Sequence, residues 1–254
     1  MRLKDKIAIV TGGGTGIGSG ISRSLAEAGA SVLIAQPTME KAVKAAEQLM
    51  SEGHRAIPFE VDIREREAVR AMVAKTIESF GKIDILVNNA AITGSRAASA
   101  FLDISDELLA RTIDVNLKGT FIVSQEVARK MVKDGGSIIH ISSVGAFAAQ
   151  EGASIYCATK AALTGLTRTM ALELASYNIR VNAIAPGDIE TEKNAHHADE
   201  MNEKGIQGKY FRRIPLNRRG TPAEIGPTAV FLASGESSYM TGETIIVDGG
   251  FLIY

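Results

Sequence analysis

Five of the seven residues from Gly12 to Gly18 are glycine, and they stand directly behind the apolar run Ile7-Ala-Ile-Val10. A run of that kind, rich in β-branched residues, reads as a strand buried on both faces. After the glycines, Ile21, Leu25 and Ala28 recur at helical spacing. The chain is therefore committed at its outset to strand, tight turn, helix. Glycine suits such a turn because it takes positive φ freely and lets the backbone approach another group closely. The same alternation continues. Strands are expected over 31–35, 56–61, 83–87, 137–141, 180–184 and 244–247, after the first over 7–10. Helices are expected between them over 39–51, 64–80, 105–132, 154–175 and 222–233, with Gly81 closing the second of these as a C-cap. Strands separated by helices imply right-handed crossovers and a parallel sheet covered on both faces. A length of 254 residues suits one large α/β domain, 1–254, better than two small ones.

Composition removes several function classes. The net charge of −1 gives no reason to expect nucleic acid or an anionic membrane. No uninterrupted apolar run reaches the about 18 residues a spanning helix needs. The N-terminus, Met1-Arg-Leu-Lys-Asp5, enters the first strand without a signal-peptide apolar region. The single cysteine, Cys157, excludes an intrachain disulfide and suits a reducing compartment, so a cytoplasmic protein is expected. Cys157 reads as a small packing residue, since a nucleophile would need a histidine base and none stands out. No metal site is expected.

Two elements carry chemistry. The glycine turn gathers backbone N–H groups and a helix N-terminus, an arrangement that holds a diphosphate. Its spacing, Gly12-x-x-x-Gly16-x-Gly18, is not the G-x-G-x-x-G of the standard dinucleotide fingerprint. A tight turn without a ligand is the alternative. The second element is Tyr156-Cys-Ala-Thr-Lys160, thirteen residues beyond Ser143. Residues four apart on a helix share a face, about 6 Å apart at Cβ. A lysine cation so placed favours phenolate over phenol, which prepares a tyrosine to pass protons near neutral pH. The segment 187–216 breaks the rhythm. It is polar, contains His196, His197, Lys204, Lys209, Arg212 and Arg213, and reads either as a substrate lid or as a solvated surface insertion.

With both elements in place, the chain resembles the short-chain dehydrogenase/reductase family over nearly its whole length. The resemblance also rests on Asp62 after the third strand, Asn88-Asn89-Ala90-Ala91, Asn116 in Asn-Leu-Lys-Gly, Ile141-Ser-Ser143, Arg180-Val-Asn182, Pro186-Gly187 and Val247-Asp-Gly-Gly250. The family's usual glycine is alanine at Ala91. The resemblance implies a single Rossmann-like, doubly wound domain with a parallel seven-stranded sheet flanked by helices. It implies a nicotinamide dinucleotide held by Gly12, Thr15, Gly16, Ile17 and Gly18. Asp62, Ile63, Asn89 and Ala90 would line its adenine end, Pro186, Gly187, Ile189 and Thr191 its carboxamide end, and Ala91 would also contact it. Tyr156 would be the general acid or base, and Lys160 would lower its pKa and bind the nicotinamide ribose. Ser143 would hydrogen-bond the substrate oxygen, and Asn116 would support a proton relay to Lys160. Taken singly, Ser143 reads as the end of a strand and Asn116 as the cap of a helix bend, and it is the thirteen-residue spacing to Tyr156 that marks Ser143 as catalytic. The family is usually tetrameric, which implies a homotetramer.

Ribose recognition falls about twenty residues past the glycine turn, where an acidic residue reads the 2′-hydroxyl. Here stand Gln36, Pro37 and Thr38. Gln36 can hydrogen-bond a neutral hydroxyl, and no cation is present to compensate a 2′-phosphate. NAD is therefore favoured over NADP, with dual use open. The expected substrate is a small secondary alcohol or ketone, polar or sugar-like. A 3-oxoacyl-thioester is the alternative, disfavoured by Asp134 and Tyr177 where carrier-protein reductases tend to be basic. A reductase of a carbon–carbon double bond and a non-catalytic dinucleotide-binding regulator are the remaining readings.

Overall fold

The computed structural model describes residues 1–192 and 214–253. Seven parallel strands form one sheet in the order β3-β2-β1-β4-β5-β6-β7. They are β1 Ile7–Thr11, β2 Ser31–Gln36, β3 Ala56–Glu60, β4 Ile85–Asn88, β5 Gly136–Ile141, β6 Ile179–Pro186 and β7 Thr244–Val247. The crossover helices are α1 Gly16–Glu27, α2 Met39–Ser51, α3 Arg66–Phe80, α4 Asp106–Ile113, α5 Thr120–Met131, α6 Ser154–Leu174 and α7 Pro222–Ala233. The strand order reverses between β1 and β4, and ligands of doubly wound sheets bind at the carboxyl edge of such a switch point.

Alternation along the strands sorts the core into two layers, because successive side chains point to opposite faces. Ala8, Val10, Val32, Ile34, Ile85, Val87, Ile139 and Ile141 pack with Ile21 and Leu25 of α1, Leu49 of α2 and Ile225 of α7. Ile9, Leu33, Leu86 and Ile138 pack on the other face with Met72 of α3, Val123, Val127 and Met131 of α5 and Ala171 of α6. Every one of the seven expected strands is present, with ends displaced by a residue or two.

The long helix expected over 105–132 is not uniform. Between α4 and α5, residues Asp114–Gly119 widen into a π-type turn, and Asn116 sits inside it. Such turns accommodate an extra residue in a helix and occur often at functional positions. A side chain at Gly119 would meet Ile63 Cγ1 at 2.7 Å, so glycine lets this stretch lie against the segment after β3. Among the described residues no helix is long and apolar enough to cross a membrane.

Candidate active site

The glycine turn is built from backbone. Gly12 and Gly16 take φ of 64° and 53°, where other residues are strained. A Cβ at Gly18 would lie 2.1 Å from the Gly12 carbonyl oxygen, so α1 enters the turn only because that position is bare. Thr15, the N-cap of α1, makes no side-chain capping bond, and no carboxylate stands in the first turn. An uncapped N-terminus behind a turn of this kind fits a diphosphate. Thr11 and Asn89 fasten the turn to β4. The Thr11 Oγ1 accepts from Asn89 N (3.0 Å) and Ala90 N (3.2 Å), while Asn89 Nδ2 donates to the carbonyls of Thr11 (3.0 Å) and Gly12 (3.1 Å).

Gln36 ends β2, buried. Oriented to satisfy both neighbours, its amide oxygen accepts from Gly14 N at 2.7 Å and Thr15 N at 3.3 Å. The side chain thus braces the turn. Asp62 accepts from its neighbour Arg64, whose Nε lies 3.0 Å from each carboxylate oxygen. That hydrogen bond holds the Asp62 carboxyl below its usual range. Ile63 is buried against Gly119.

Across the switch point, β5 and the first turns of α6 supply the side-chain chemistry. The Ser143 hydroxyl accepts from Gly145 N at 3.0 Å, which sets its rotamer and leaves its hydrogen to donate. It stands near enough to the Tyr156 phenol to favour that group's ionised form. Lys160 is buried, and its Nζ donates to the Ile141 carbonyl at 2.7 Å. The ammonium lies 5.8 Å from the centre of the Tyr156 ring.

The Tyr156 phenol is not acidified on balance, contrary to the expectation from its helical spacing to Lys160. Tyr156 keeps some surface open to the cleft, but burial pushes its phenol above the ordinary value, and the Ser143 hydroxyl opposes this. Burial sets the net direction at Tyr156 despite the neighbouring Lys160 ammonium, whose own hydrogen bond goes to the Ile141 carbonyl. Burial lowers Lys160 from 10.5 to about 8. The group of this pair that titrates nearest neutrality is the lysine.

Asn116 is buried, and its side chain is fully engaged. Its Oδ1 accepts from Ile92 N (2.7 Å), and its Nδ2 donates to Ile92 O (3.1 Å) and Thr159 Oγ1 (3.2 Å). It clamps the segment after β4 to α6, so any part in a relay falls to its main chain. Pro186 ends β6 and Gly187 follows it, with Ile189 buried beyond them and bridged to Gly220. The Thr191 Cγ2 stands 3.3 Å from where a Cβ at Gly16 would be.

A cavity of about 80 Å³ joins the two halves, lined by Ile17, Asn89, Ala91, Thr93, Ile141, Ser142, Ser143, Tyr156, Lys160, Pro186 and Gly187. The tyrosine and the glycine turn therefore open on the same space. Asp62, Ile63 and Gln36 lie away from it, toward the β3 side of the sheet. Cys157 packs beside Gly145, and burial raises its thiol, in keeping with a packing role. Most of the expected lid, residues 193–213, lies outside the described residues. Sequence reasoning assigned no role to Ser142 or Thr159. Ser142 Oγ donates to the Lys160 carbonyl (2.9 Å), and Thr159 Oγ1 to that of Tyr156 (2.8 Å). Both stand inside quoted motifs, but only the facing of β5 and α6 shows what they hold.

A switch-point cleft with a glycine turn on one side and a Ser-Tyr-Lys cluster on the other defines a dinucleotide-dependent oxidoreductase fold. The chain belongs to the short-chain dehydrogenase/reductase family. A family model described as enoyl-(acyl carrier protein) reductase matches residues 12–252. The chain is 39% identical over 257 residues to the 3-oxoacyl-[acyl-carrier-protein] reductase FabG of Thermotoga maritima, covering 100% of both chains. A gluconate 5-dehydrogenase from Burkholderia cenocepacia, solved in complex with NADP and tartrate, superposes with TM-score 0.91 at 37% identity, covering 100% of this chain and 97% of that one. An NAD+-bound xylitol dehydrogenase does so with TM-score 0.91 at 32% identity, covering 98% of this chain and 100% of that one.

Proposed function

We propose that the protein interconverts a small, polar or sugar-like secondary alcohol and its ketone, and that the cleft between the glycine turn and Tyr156 is where it does so. The observation that carries this reading is the Ser143–Tyr156–Lys160 cluster opening on the same cavity as Ile17 of the turn. A nicotinamide dinucleotide, when bound, supplies or accepts the hydride. Gly12, Thr15, Gly16, Ile17 and Gly18 would hold its diphosphate end through backbone N–H groups, and Pro186, Gly187, Ile189 and Thr191 would border its other end. In reduction, negative charge develops on the carbonyl oxygen. Ser143 turns its hydroxyl hydrogen to that oxygen, and Tyr156 delivers the proton. A phenol pushed up by burial stays protonated at neutral pH, which suits an acid. Lys160 keeps a positive charge beside the pair below pH of about 8. In oxidation the same groups act in reverse. Asn116 acts by holding the segment after β4 against α6.

For the cofactor we favour NAD over NADP. Gln36 offers an NH2 donor that suits a ribose hydroxyl, and positions 36–38 bring no cation toward a phosphate. The 3-oxoacyl-thioester alternative is supported by the relative from Thermotoga maritima, whereas Asp134 and Tyr177 give an acidic carrier nothing basic to meet. We read the chain as one cytoplasmic domain that assembles as a homotetramer. Outward apolar side chains on α4 and α5, Leu109, Ile113 and the half-exposed Phe121, support association, and a monomeric mass in solution would exclude it.

The decisive test is oxidation of NADH and NADPH over a panel of sugar-derived ketones, small ketones and 3-oxoacyl thioesters, with Tyr156→Phe alongside. Turnover should fall by about a thousandfold in the variant. Cofactor binding without turnover of any panel member would favour a regulator instead.

A further inference from the structure

Behind the cleft, on the face of the sheet that α5 and α6 cover, runs a string of polar side chains that the proposed chemistry does not use. His140 on β5 is fully buried. Its Nδ1 lies 2.9 Å from Thr167 Oγ1 of α6, and its Nε2 lies 3.4 Å from Ser124 Oγ of α5. Ser124 in turn accepts from Asn88 Nδ2 of β4 at 2.9 Å. Thr167 donates its hydroxyl hydrogen to the Leu163 carbonyl at 2.7 Å, so toward His140 its oxygen accepts. The ring is then protonated on Nδ1, and its Nε2 accepts from Ser124. Each donor points the same way, from Asn88 to Leu163, and one neutral tautomer satisfies both ring nitrogens, with Asn88 Oδ1 at the head of the string left without a partner. The ring stays neutral because burial and the Lys160 charge lower it to about 4.

The string continues into the site. Thr167 stands seven residues past Lys160, about two helical turns, so both face β5. Three polar contacts in a row join β5 to α6: His140 Nδ1–H to Thr167, Lys160 Nζ to the Ile141 carbonyl, and Ser142 Oγ to the Lys160 carbonyl. Apolar packing around them, through Leu163 and Ala171, is non-directional and sets neither the roll nor the axial position of a helix. Hydrogen bonds with a single allowed tautomer do.

We propose that His140 is a positioning residue: its neutral Nδ1–H seats α6 on β5 through Thr167, so that Lys160 reaches the Ile141 carbonyl and Tyr156 reaches Ser143. This deepens the catalytic reading above and rests on it. His140→Leu and the near-isosteric Thr167→Val each remove the contact from one side, and Thr167→Val carries the test if His140→Leu does not fold. Each should lower kcat by about tenfold or more, since small misplacements of reacting groups are amplified in rate. Each should also move the alkaline limb of the pH profile to lower pH, because a lysine without its carbonyl acceptor holds its proton less well. His140→Asn, which keeps a donor near the Nδ1 position, should restore most of both. Crystal structures of the variants should show Lys160 Nζ out of hydrogen-bond reach of the Ile141 oxygen. Variants that lose thermal stability while kcat, pH limb and the Lys160–Ile141 contact stay as in the wild type would overturn the inference. A wild-type protein inactive on every ketone tested would instead overturn the catalytic reading, and the crystallographic distance would still decide this one.

Discussion

The two sides of the cleft are built on opposite principles. On the β1–β2 side, the architecture comes from the main chain: bare glycines, positive φ at Gly12 and Gly16, an uncapped helix start, and Thr11, Gln36 and Asn89 bracing the turn. On the β5–α6 side, it comes from buried polar side chains: Lys160, Ser142, Asn116, Thr159, His140 and Thr167. The first side works by leaving atoms out, and is broken by adding one. The second works by holding polar groups where water is excluded, and is broken by removing a partner, because a buried group left unpaired is expensive.

The largest expected effect after that of Tyr156→Phe tests the second side. Lys160→Met should lower turnover by about a hundredfold or more, in the range of lost proton-transfer assistance. It should also change the pH dependence of stability with a definite sign. The folded protein holds the Lys160 proton less well than the unfolded chain does, since burial lowers the amine from 10.5 to about 8. Wild-type stability therefore rises with pH between about 8 and 10.5, while the variant lacks this rise. Melting temperatures of both proteins at pH 7 and pH 10 measure it, and parallel curves would show that the amine is not perturbed by burial.

The next effect tests the first side. Gly18→Ala places a methyl 2.1 Å from the Gly12 oxygen and 2.5 Å from Asn89 Nδ2, so the turn must open. A loss of roughly 1–3 kcal/mol in stability is expected, together with weaker NADH binding by titration. Unchanged NADH affinity would mean that the turn does not bind the dinucleotide. The smallest effect sharpens the comparison at its edge. Gln36→Asp keeps an acceptor near Gly14 and Thr15 but adds a negative charge, which should lower kcat/KM with NADPH by about tenfold through repulsion. Efficiency with NADH should hardly move. Equal losses with both cofactors would show that Gln36 serves the turn alone.

This contrast also explains what could be read from the chain. The glycine turn was legible because a strained backbone restricts the residue type at its own position, so Gly12, Gly16 and Gly18 announce it locally. The Tyr156–Lys160 pair was legible as a shared helix face, but its electrostatics were not. The expected acidification by Lys160 assumed an ammonium turned to the phenol, whereas the structure turns it to the carbonyl of Ile141, a main-chain atom without a sequence signature. Asn116 read as part of a relay, and the π-type turn that presents its side chain to Ile92 and Thr159 arises from packing between α4–α5, the segment after β4 and α6. His140 carried no signal at all, since a lone histidine in a strand is mute until α5 and α6 bring Ser124 and Thr167 to its two nitrogens.

The chain by itself determined the order of seven strands and their helices, the parallel sheet and the place of the glycine turn. Hydrophobic period and backbone strain are properties of short stretches and survive in one dimension. Only the tertiary structure decided where the Lys160 charge points, which hydroxyls hold α6 on β5, and what burial does to Tyr156. Those depend on distances and desolvation set by segments far apart in the chain, and Coulomb and hydrogen-bond energies act through space rather than along sequence.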